Sequence, residues 1–370
     1  MNSSSINLAL FAAGALLAGA TQAGAAPYSF IDLGATGSQS FARGINSSGQ
    51  VAGYSLPPGA SGSAYHATVW NGTTATDLGT LGGSYSHSSG INSSGQVVGD
   101  SELSDYRTQR ATVWNGITGT GLTTPSGNHS VAEAINDAGN AVGSIFSATA
   151  PDHATVWNGT TPTELGTLGG QTSVARSINN SGKVAGDSYL SDNTTNHATV
   201  WNGTTPTDLG TLGGHNSTAN DINNGGTVAG YSYLTGDTNY HATAWNGATS
   251  TDLGTLGGNL SEAYAINDNG IMAGWSETST NFIHATTWSG TTATDLNTFL
   301  DASTVNAGWV LERAFDINAR GWIVGDAHNT ITNANHAFLL TPIPEPETYA
   351  MFLAGLGLMA GMARCRRRAV

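Results

Sequence analysis

The chain has 370 residues, of which 50 are glycine and only 10% are charged, and its formal net charge is −14. This negative charge repels phosphate backbones, so no nucleic-acid partner is predicted. The single cysteine, Cys365, leaves no disulfide framework. Regularly spaced valine, isoleucine and tryptophan in a glycine- and threonine-rich chain favour an all-β fold over disorder.

Residues 1–25 are predicted to be a signal peptide. An apolar run from Leu8 to Ala20 precedes Ala23-Gly24-Ala25, which has the small-x-small pattern of a cleavage site. Cleavage after Ala25 would start the mature chain at Ala26. The segment before the apolar run has no lysine or arginine, which departs from the usual pattern. Export from the cytoplasm is predicted on the remaining features.

Residues 26–342 repeat a pattern at a spacing of about 44 residues, which is typical of propellers and solenoids. An Ile-Asn pair begins at Ile45, Ile91, Ile135, Ile178, Ile222, Ile266 and Ile317. A His-Ala-Thr-x-Trp segment ends at Trp70, Trp157, Trp201, Trp245 and Trp288, and a variant of it ends at Trp114. A seventh copy is reduced to His336-Ala337-Phe338-Leu339.

Each repeat is predicted to form four short antiparallel strands, named A to D, as in ARSIN, KVAGDS, HATVW and TPTDLG. An Asn-x-x-Gly turn such as 179–182 joins strands A and B. An Asn-Gly pair such as Asn202-Gly203 joins strands C and D, and this pair is a strong hairpin signal. A four-stranded meander of this length has the size of one propeller blade.

The two ends of the array predict how it closes. The mature chain begins with a lone strand D at 29–34 and ends with strands A, B and C at 315–318, 322–326 and 336–340. The N-terminal strand therefore fits the vacancy in the last blade and removes an exposed edge. The sequence predicts an all-β, seven-bladed β-propeller closed by its N-terminal strand. An elongated β-solenoid, which would need polar capping repeats, is the alternative.

The repeated histidines and tryptophans are predicted to be structural. One residue per blade is distributed around a ring, so these histidines do not converge as metal ligands would. Each imidazole is expected to bond a neighbouring backbone group or aspartate and to hold one blade to the next. The tryptophans are expected to pack between sheets. The histidines are His66, His153, His197, His241, His284 and His336. The aspartates of the Asp-Leu-Gly motif are expected to stabilise turns: Asp32, Asp77, Asp208 and Asp252, with Glu164 in their place in one repeat.

Catalysis needs unlike groups at one place, so the variable B–C loops are the candidate sites for chemistry and recognition. These loops and their edges carry Asp100, Glu102, Asp105, Asp152 and Asp192, with no histidine, cysteine or lysine to complete a nucleophile–base pair. No catalytic residue, metal ligand or cofactor is predicted, and the ligand-binding residues stay unknown. Asp268-Asn269-Gly270 lacks the spacing of a calcium loop and is interpreted as a turn. Weak calcium association stays open.

The repeats resemble the HAF family of bacterial extracellular repeats. The motif is whole at His336-Ala337-Phe338, and its companion Asp-Leu-Gly-Thr-Leu-Gly-Gly is complete at 77–83, 208–214 and 252–258. Most copies have threonine in place of the phenylalanine, and the second repeat has Arg110-Ala111 in place of His-Ala. The resemblance implies a secreted β-repeat protein and names no activity.

The C-terminal segment 343–370 contains three parts in order. Pro344-Glu345-Pro346 precedes an apolar stretch at 349–363, and a basic cluster follows it: Arg364, Arg366, Arg367 and Arg368. The stretch is predicted to be a single transmembrane helix with the arginines on the cytoplasmic side. Its length of roughly 22 Å falls short of the roughly 30 Å hydrocarbon core, so the anchor could be transient. The alternative is a single-pass membrane anchor that stays attached to the protein without cleavage.

This order of parts resembles the PEP-CTERM sorting signal of Gram-negative bacteria. The resemblance implies recognition and cleavage by the membrane protease exosortase. It also implies transient anchoring in the inner membrane and delivery to the cell surface or extracellular matrix.

The sequence therefore predicts a non-enzymatic binding or structural module at the surface or in the matrix. Because the sorting signal resembles those of exopolysaccharide producers, the resemblance implies a link to exopolysaccharide or biofilm. The partner would be an extracellular polysaccharide or another surface protein. A secreted propeller glycan hydrolase or lyase is the alternative, and it would need two carboxylates roughly 5–10 Å apart on one face.

Overall fold

The repeated segments form seven four-stranded antiparallel sheets, each with its strands in the order A, B, C, D from the innermost outward. The computed structural model describes residues 28–34, 37–125, 128–147 and 151–343. The predicted signal peptide, with Ala25, and the sorting segment from Pro344 onward, with the predicted helix at 349–363, lie outside the described residues. No helix within the described part is long and apolar enough to cross a membrane.

The strands are numbered in chain order. The first is β1 (Tyr28–Asp32). Blade 1 holds β2 (Ser40–Ile45), β3 (Val51–Ser55), β4 (His66–Asn71) and β5 (Thr74–Asp77). Blade 2 holds β6 (Gly82–Ile91), β7 (Val97–Leu103), β8 (Gln109–Asn115) and β9 (Thr118–Gly121). Blade 3 holds β10 (His129–Ile135), β11 (Ala141–Phe146), β12 (His153–Asn158) and β13 (Thr161–Glu164). Blade 4 holds β14 (Gly169–Ile178), β15 (Val184–Leu190), β16 (Asn196–Asn202) and β17 (Thr205–Asp208).

The remaining blades follow the same plan. Blade 5 holds β18 (Gly213–Ile222), β19 (Thr227–Leu234), β20 (Tyr240–Asn246) and β21 (Thr249–Asp252). Blade 6 holds β22 (Gly257–Ile266), β23 (Ile271–Thr278), β24 (Ile283–Ser289) and β25 (Thr292–Asp295). A 3₁₀ helix (Leu296–Phe299) and α1 (Ala302–Asn306) lead into blade 7, which holds β26 (Trp309–Ile317), β27 (Ile323–Asn329) and β28 (Ala334–Pro342).

Strand β1 completes blade 7, as predicted. It pairs antiparallel with β28, with Tyr28 opposite Pro342 and Asp32 opposite Phe338. The seven-bladed propeller predicted from the sequence is confirmed, and the solenoid alternative is wrong. The closure leaves no long unpaired strand at the end of the array, because the first strand of the chain covers the edge of the last blade.

Local sequence explains the hairpins. In the A–B turn of blade 4, Gly182 has φ +83°, a region that favours glycine, and its N–H donates to the carbonyl of Asn179 at 3.0 Å. In the C–D hairpin, Asn202 pairs with Thr205, so Gly203 is the first of the two loop residues and has φ +61°. The Asn-Gly pair thus places glycine at the first loop position, as in a type II′ turn, and asparagine at the end of the strand.

The core lies between neighbouring blades. The six repeated tryptophans are at most 1% exposed. Trp157 of blade 3, for example, packs in one cluster with Val98 and Leu122 of blade 2 and Ile135 of its own blade. Leu340 takes the tryptophan position in blade 7 and is 1% exposed. Each large ring therefore fills the space between two sheets, where truncation to alanine would cost about 3–5 kcal/mol.

A closed ring of hydrogen bonds joins all seven blades. The asparagine of each repeated Ile-Asn pair is buried, and its Nδ2 donates to the carbonyl of the equivalent asparagine in the next blade at 3.0–3.2 Å. The last bond runs from Asn318 of blade 7 to Asn46 of blade 1. The ring consists of Asn46, Asn92, Asn136, Asn179, Asn223, Asn267 and Asn318, and we call it the asparagine ring.

The strand directions define two faces. The A–B and C–D turns lie on one side of the disc, which we call the lower face, and the B–C loops and D–A connections lie on the other, the upper face. Because β28 is a C strand, its last residues, up to Pro342, lie on the lower face. The paired Tyr28 therefore begins there too.

Candidate functional site

Two of the loop carboxylates that the sequence singled out, Asp105 and Asp192, fold their own loops. Asp105 Oδ1 accepts hydrogen bonds from the backbone N–H groups of Arg107 and Thr108 at 3.0 and 2.9 Å. Asp192 does the same for Thr194 and Thr195 in blade 4. The hydroxyls of Thr108 and Thr195 also donate to these two carboxylates at 2.5 and 2.6 Å. The hydroxyl bonds first, and the backbone bonds after them, favour the charged carboxylates and lower the pKa of both Asp105 and Asp192. Both aspartates act as turn residues.

Asp100 and Glu102 bond to residues of strand A in their own blade. Asp100 lies 3.5 Å from His87 Nδ1 across the same blade. Glu102 accepts from the backbone N–H and the hydroxyl of Ser84 at 2.8 and 2.6 Å. Asp105, Asp152 and Asp192 belong to the loops of three different blades. The structure therefore does not gather these five carboxylates into one pocket.

The repeated histidines bond an aspartate of strand D in five blades, and in four of them this aspartate belongs to the Asp-Leu-Gly motif. Nδ1 of His66 lies 2.8 Å from Asp77, and the same contact measures 2.7–2.9 Å at His197, His241, His284 and His336. The prediction that these imidazoles hold one blade to the next is wrong, because strands C and D of the same blade carry the two partners. The partner of His336, Asp32, lies on β1, so this pair helps to close the ring.

Buried serines, together with the asparagine ring, make the contacts between blades that were expected of histidine. Ser217 of blade 5 accepts from the N–H of Ala198 in blade 4 at 2.9 Å, and its hydroxyl donates to the Gly210 carbonyl at 2.7 Å. Equivalent bonds to the alanine N–H of the preceding blade are made by Ser40, Ser86, Ser130, Ser173 and Ser261.

The site that sequence reasoning missed is the central channel. Strand A has a register shift in every blade, and the bulged residue lies two positions before the repeated isoleucine. A β-bulge re-aims a side chain, and here each bulged residue lines a cavity of about 570 Å³ on the axis. The bulged residues are Arg43, Ser89, Glu133, Arg176, Asn220, Tyr264 and Phe315. Blades 1 and 4 both have arginine at this position, and each of the other five blades has a different residue. The flanking residues repeat, so a variable position inside a repeated segment is the sequence signal that could have identified the channel lining.

Two carboxylates of the channel wall cap the innermost strands. Asp316 accepts from the N–H groups of Ile45 and Ile317, both at 2.7 Å. Asp221 accepts from the N–H of Ile266 in the next blade at 2.8 Å. Burial and the nearby charge of Asp221 raise the pKa of Asp316 to about 7, and burial raises the pKa of Asp221 as well.

One side of the channel is charged and polar. Blades 2, 3 and 4 place Ser89, Glu133 and Arg176 at the bulge. The Arg176 guanidinium binds Asp187 of the same blade at 2.9 Å. Burial raises the pKa of Glu133, and the positive charge of Arg176 offsets part of that effect.

The other side, formed by blades 1, 7, 6 and 5, places Phe315 and Tyr264 on the cavity wall. Further rings extend from these two, connected through Arg43 and through a hydrogen bond of Trp275. The Arg43 guanidinium lies 3.9 Å from the centre of the Phe315 ring and 5.0 Å from that of Tyr54. Phe315 stacks on Tyr264 with centroids 4.8 Å apart and planes at 14°. Trp275 Nε1 donates to the Tyr264 hydroxyl at 3.1 Å. We call the whole series the aromatic arc: Tyr54, Phe315, Tyr264, Trp275, Tyr240, Tyr231 and Tyr233.

The outer end of the arc reaches the upper face in blade 5. Tyr240 lies 6.2 Å from Trp275, 5.0 Å from Tyr231 and 5.3 Å from Tyr233, measured between ring centroids. Burial, followed by the negative charge of Glu262, raises the pKa of Tyr240 to about 12. The Tyr240 hydroxyl is therefore a neutral donor at physiological pH.

The described residues contain no group of three or more histidine, cysteine, aspartate or glutamate side chains placed to hold a metal ion. The carboxylate of Asp268 instead accepts from the backbone and side-chain nitrogens of Asn224 in the neighbouring blade, both at 2.9 Å. The turn interpretation of 268–270 agrees with this contact.

The C-terminal end of the chain carries a recognised signal. Residues 342–368 match the PEP-CTERM protein-sorting motif. The motif implies export, processing by exosortase at the membrane, and surface localisation afterwards. It begins at the last residue of β28, so the chain leaves the propeller towards the motif from the lower face.

Comparison with curated proteins gives no match. A similar solved structure is the β-propeller domain of the Trilobed protease from Pyrococcus furiosus, described as having an open velcro topology. It is 11% identical, covers 71% of this chain and 99% of its own, and has a TM-score of 0.38. At this level the similarity carries no information on activity. The resemblance of the repeats to the HAF family stays a prediction.

Proposed function

We propose that this protein is a non-enzymatic binding module displayed at the cell surface or in the extracellular matrix after exosortase processing. Its partner would be an extracellular polysaccharide or another surface protein. Polysaccharide is favoured because the sorting motif resembles those of exopolysaccharide producers. The observation that carries the proposal is the contrast between a repeated, rigid ring and the varied side chains that line its channel. A scaffold of this kind presents a recognition site with little loss of conformational entropy on binding.

The polarity of the disc supports the same proposal. Both described ends of the propeller, Tyr28 and Pro342, lie at the lower face. The B–C loops and the outer end of the aromatic arc lie on the opposite, upper face of the propeller.

A pull-down of matrix polysaccharides with residues 26–342, together with a glycan array, tests the proposal. Both would be run with and without calcium while released sugars are measured. We expect saturable binding without release of reducing ends. Calcium-dependent binding would implicate the acidic residues of the channel and loops. Failure to bind any polysaccharide or surface protein would contradict the proposal.

A glycan hydrolase or lyase is the second candidate, and two channel residues favour it. Burial raises the pKa of Glu133 and of Glu262, as an acid catalyst requires. The carboxylate of Glu262 is held by Asn220 and by Trp275 Nε1 at 3.0 and 3.2 Å. Release of reducing ends that is lost in Glu262→Gln and Glu133→Gln would replace the binding proposal by this one.

A further inference from the structure

The aromatic arc occupies positions that a structural role alone does not require. Tyr54, Tyr231 and Trp275 follow the repeated glycine of strand B, where blades 2, 4 and 7 have aspartate and blade 3 has serine. Tyr264 and Phe315 are bulged residues, where other blades have serine, asparagine or a charged side chain. The propeller therefore folds with or without rings at these positions, and the rings cluster in adjacent blades.

Hydrogen bonds and ion pairs hold the arc in place. Arg43 donates to both carboxylate oxygens of Asp326 at 3.2 Å and to the Tyr54 hydroxyl at 2.8 Å. Glu262 accepts from Trp275 and from Asn220, so the polar edge of the arc is fixed as well. Ring planes and hydrogen-bonding groups thus lie side by side in a preorganised surface.

The rings retain access to solvent. The side chains of Tyr54, Tyr231, Tyr233 and Tyr240 are only half-buried, whereas Trp275 is 5% exposed. The arc therefore presents tyrosine faces and edges to the solvent of the upper face, with the indole beneath them.

Aromatic faces beside carboxylate and amide groups match the chemistry of a pyranose ring. The C–H face of a sugar packs on an aromatic ring, and its hydroxyls donate to carboxylates and accept from N–H and O–H groups. The charge of the site selects among sugars. Glu262 and Glu277 lie close enough to Tyr240 to raise its pKa, and the whole chain has a net charge of −14. An anionic uronic-acid polymer would be repelled by this field.

We propose that the aromatic arc, at its outer end around Tyr233 and Tyr240, binds a chain of uncharged or amino-sugar pyranoses. The inference rests on the proposed function, since it assigns the site and the sugar class of the binding module.

The test uses residues 26–342 and hexasaccharides of glucose, N-acetylglucosamine, glucosamine and uronic acid. Binding is measured by calorimetry and by tryptophan fluorescence, because Trp275 lies within the arc. We expect at least one of the first three sugars to bind and the uronic-acid hexamer to bind at least about 10-fold more weakly. No binding by the first three, or strongest binding by the uronic acid, would overturn the inference.

Substitutions then locate the site. Tyr233→Ala and Tyr240→Ala should each weaken binding by about 10-fold, which is the loss of one good stacking contact. The matched control is Tyr189→Ala. Tyr189 holds the position of Tyr233 in blade 4, next to Asp187 rather than a tyrosine. Circular dichroism and thermal unfolding check that the three variants fold alike.

The outcomes separate the two proposals. Equal affinity of Tyr233→Ala, Tyr240→Ala and the unsubstituted protein would overturn the arc as the site. If matrix polysaccharide were still captured in that case, the proposed function would stand and the site would lie elsewhere. Loss of affinity in Tyr189→Ala as large as in the arc variants would also overturn the assignment.

Discussion

Replacement of one member of the asparagine ring tests whether the ring holds the blades together. In Asn179→Ala the Nδ2 bond to the Asn223 carbonyl is lost, at 3.1 Å, in a site where the side chain is 4% exposed. The same change removes the Oδ1 acceptor of the N–H groups of Ser181 and Lys183. A buried polar group left without a partner costs about 1–3 kcal/mol, while the turn N–H groups can rehydrate in part.

Together these losses should lower the unfolding free energy of Asn179→Ala by about 3 kcal/mol. An unfolding entropy of about 2.1 cal/mol/K per residue, over the roughly 300 residues of the propeller, converts this into a decrease in Tm of about 5 °C. Thermal and urea unfolding followed by the fluorescence of the buried tryptophans would measure it. Asn202→Ala is the matched control, because Asn202 is an exposed asparagine of the same blade at the C–D hairpin.

The reasoning would be refuted if Asn179→Ala and Asn202→Ala lowered Tm equally. Asn136→Ala should behave as Asn179→Ala does, since Asn136 makes the equivalent bond to the Asn179 carbonyl at 3.2 Å.

Three further predictions follow from the packing, the channel and the closure. Trp201→Phe should lower the unfolding free energy by about 1–2 kcal/mol more than Trp245→Phe does. The reason is that Trp201 Nε1 donates to the Gly166 carbonyl at 2.7 Å, whereas Trp245 Nε1 has no partner among the described residues. Equal urea midpoints of the two variants would contradict this prediction. The folded-state pKa of Asp316 is raised to about 7, so its contribution to stability is present below pH 4 and is lost as pH rises through 7. Asp316→Asn should therefore flatten the decline in urea midpoint between pH 4 and 8, and an unchanged profile would argue against the assignment. Deletion of residues 28–33 should expose the edge of β28, lower Tm and promote association measured by light scattering. A chain that starts at residue 28 is the control and should stay monomeric. Equal behaviour of the two chains would show that closure by β1 is dispensable.

The charged and aromatic sides of the channel give the propeller an asymmetry that its repeats conceal. Arg43 and Phe315 lie in contact although 272 positions separate them in the sequence. A search for unlike groups among the variable loops misses this pair, because both residues lie on innermost strands and not in the loops. In blades 2 and 4 the loop aspartates fold their own loops. Asp192 illustrates the point, since its carboxylate bonds the backbone of its own loop.

The sequence by itself determined the strands, their hairpins, the number of blades and the closure by β1. These features depend on local signals such as Gly182 in the A–B turn, and on counting strands that repeat at one spacing. Burial of the tryptophans between sheets also follows from the sequence, because a large apolar ring at the same place in each repeat has to be removed from water.

Only the tertiary structure decided which repeated side chains meet. His197 and Asn179 both recur once per repeat, but His197 bonds within its own blade and Asn179 bonds to the next blade. Which of the two occurs depends on whether the partner strand belongs to the same sheet or to the neighbouring one. The candidate site depends on the same step. A bulged residue such as Tyr264 points to the axis only after the ring has closed. Ring closure brings seven positions, spaced 43 to 51 residues apart in the sequence, to one channel.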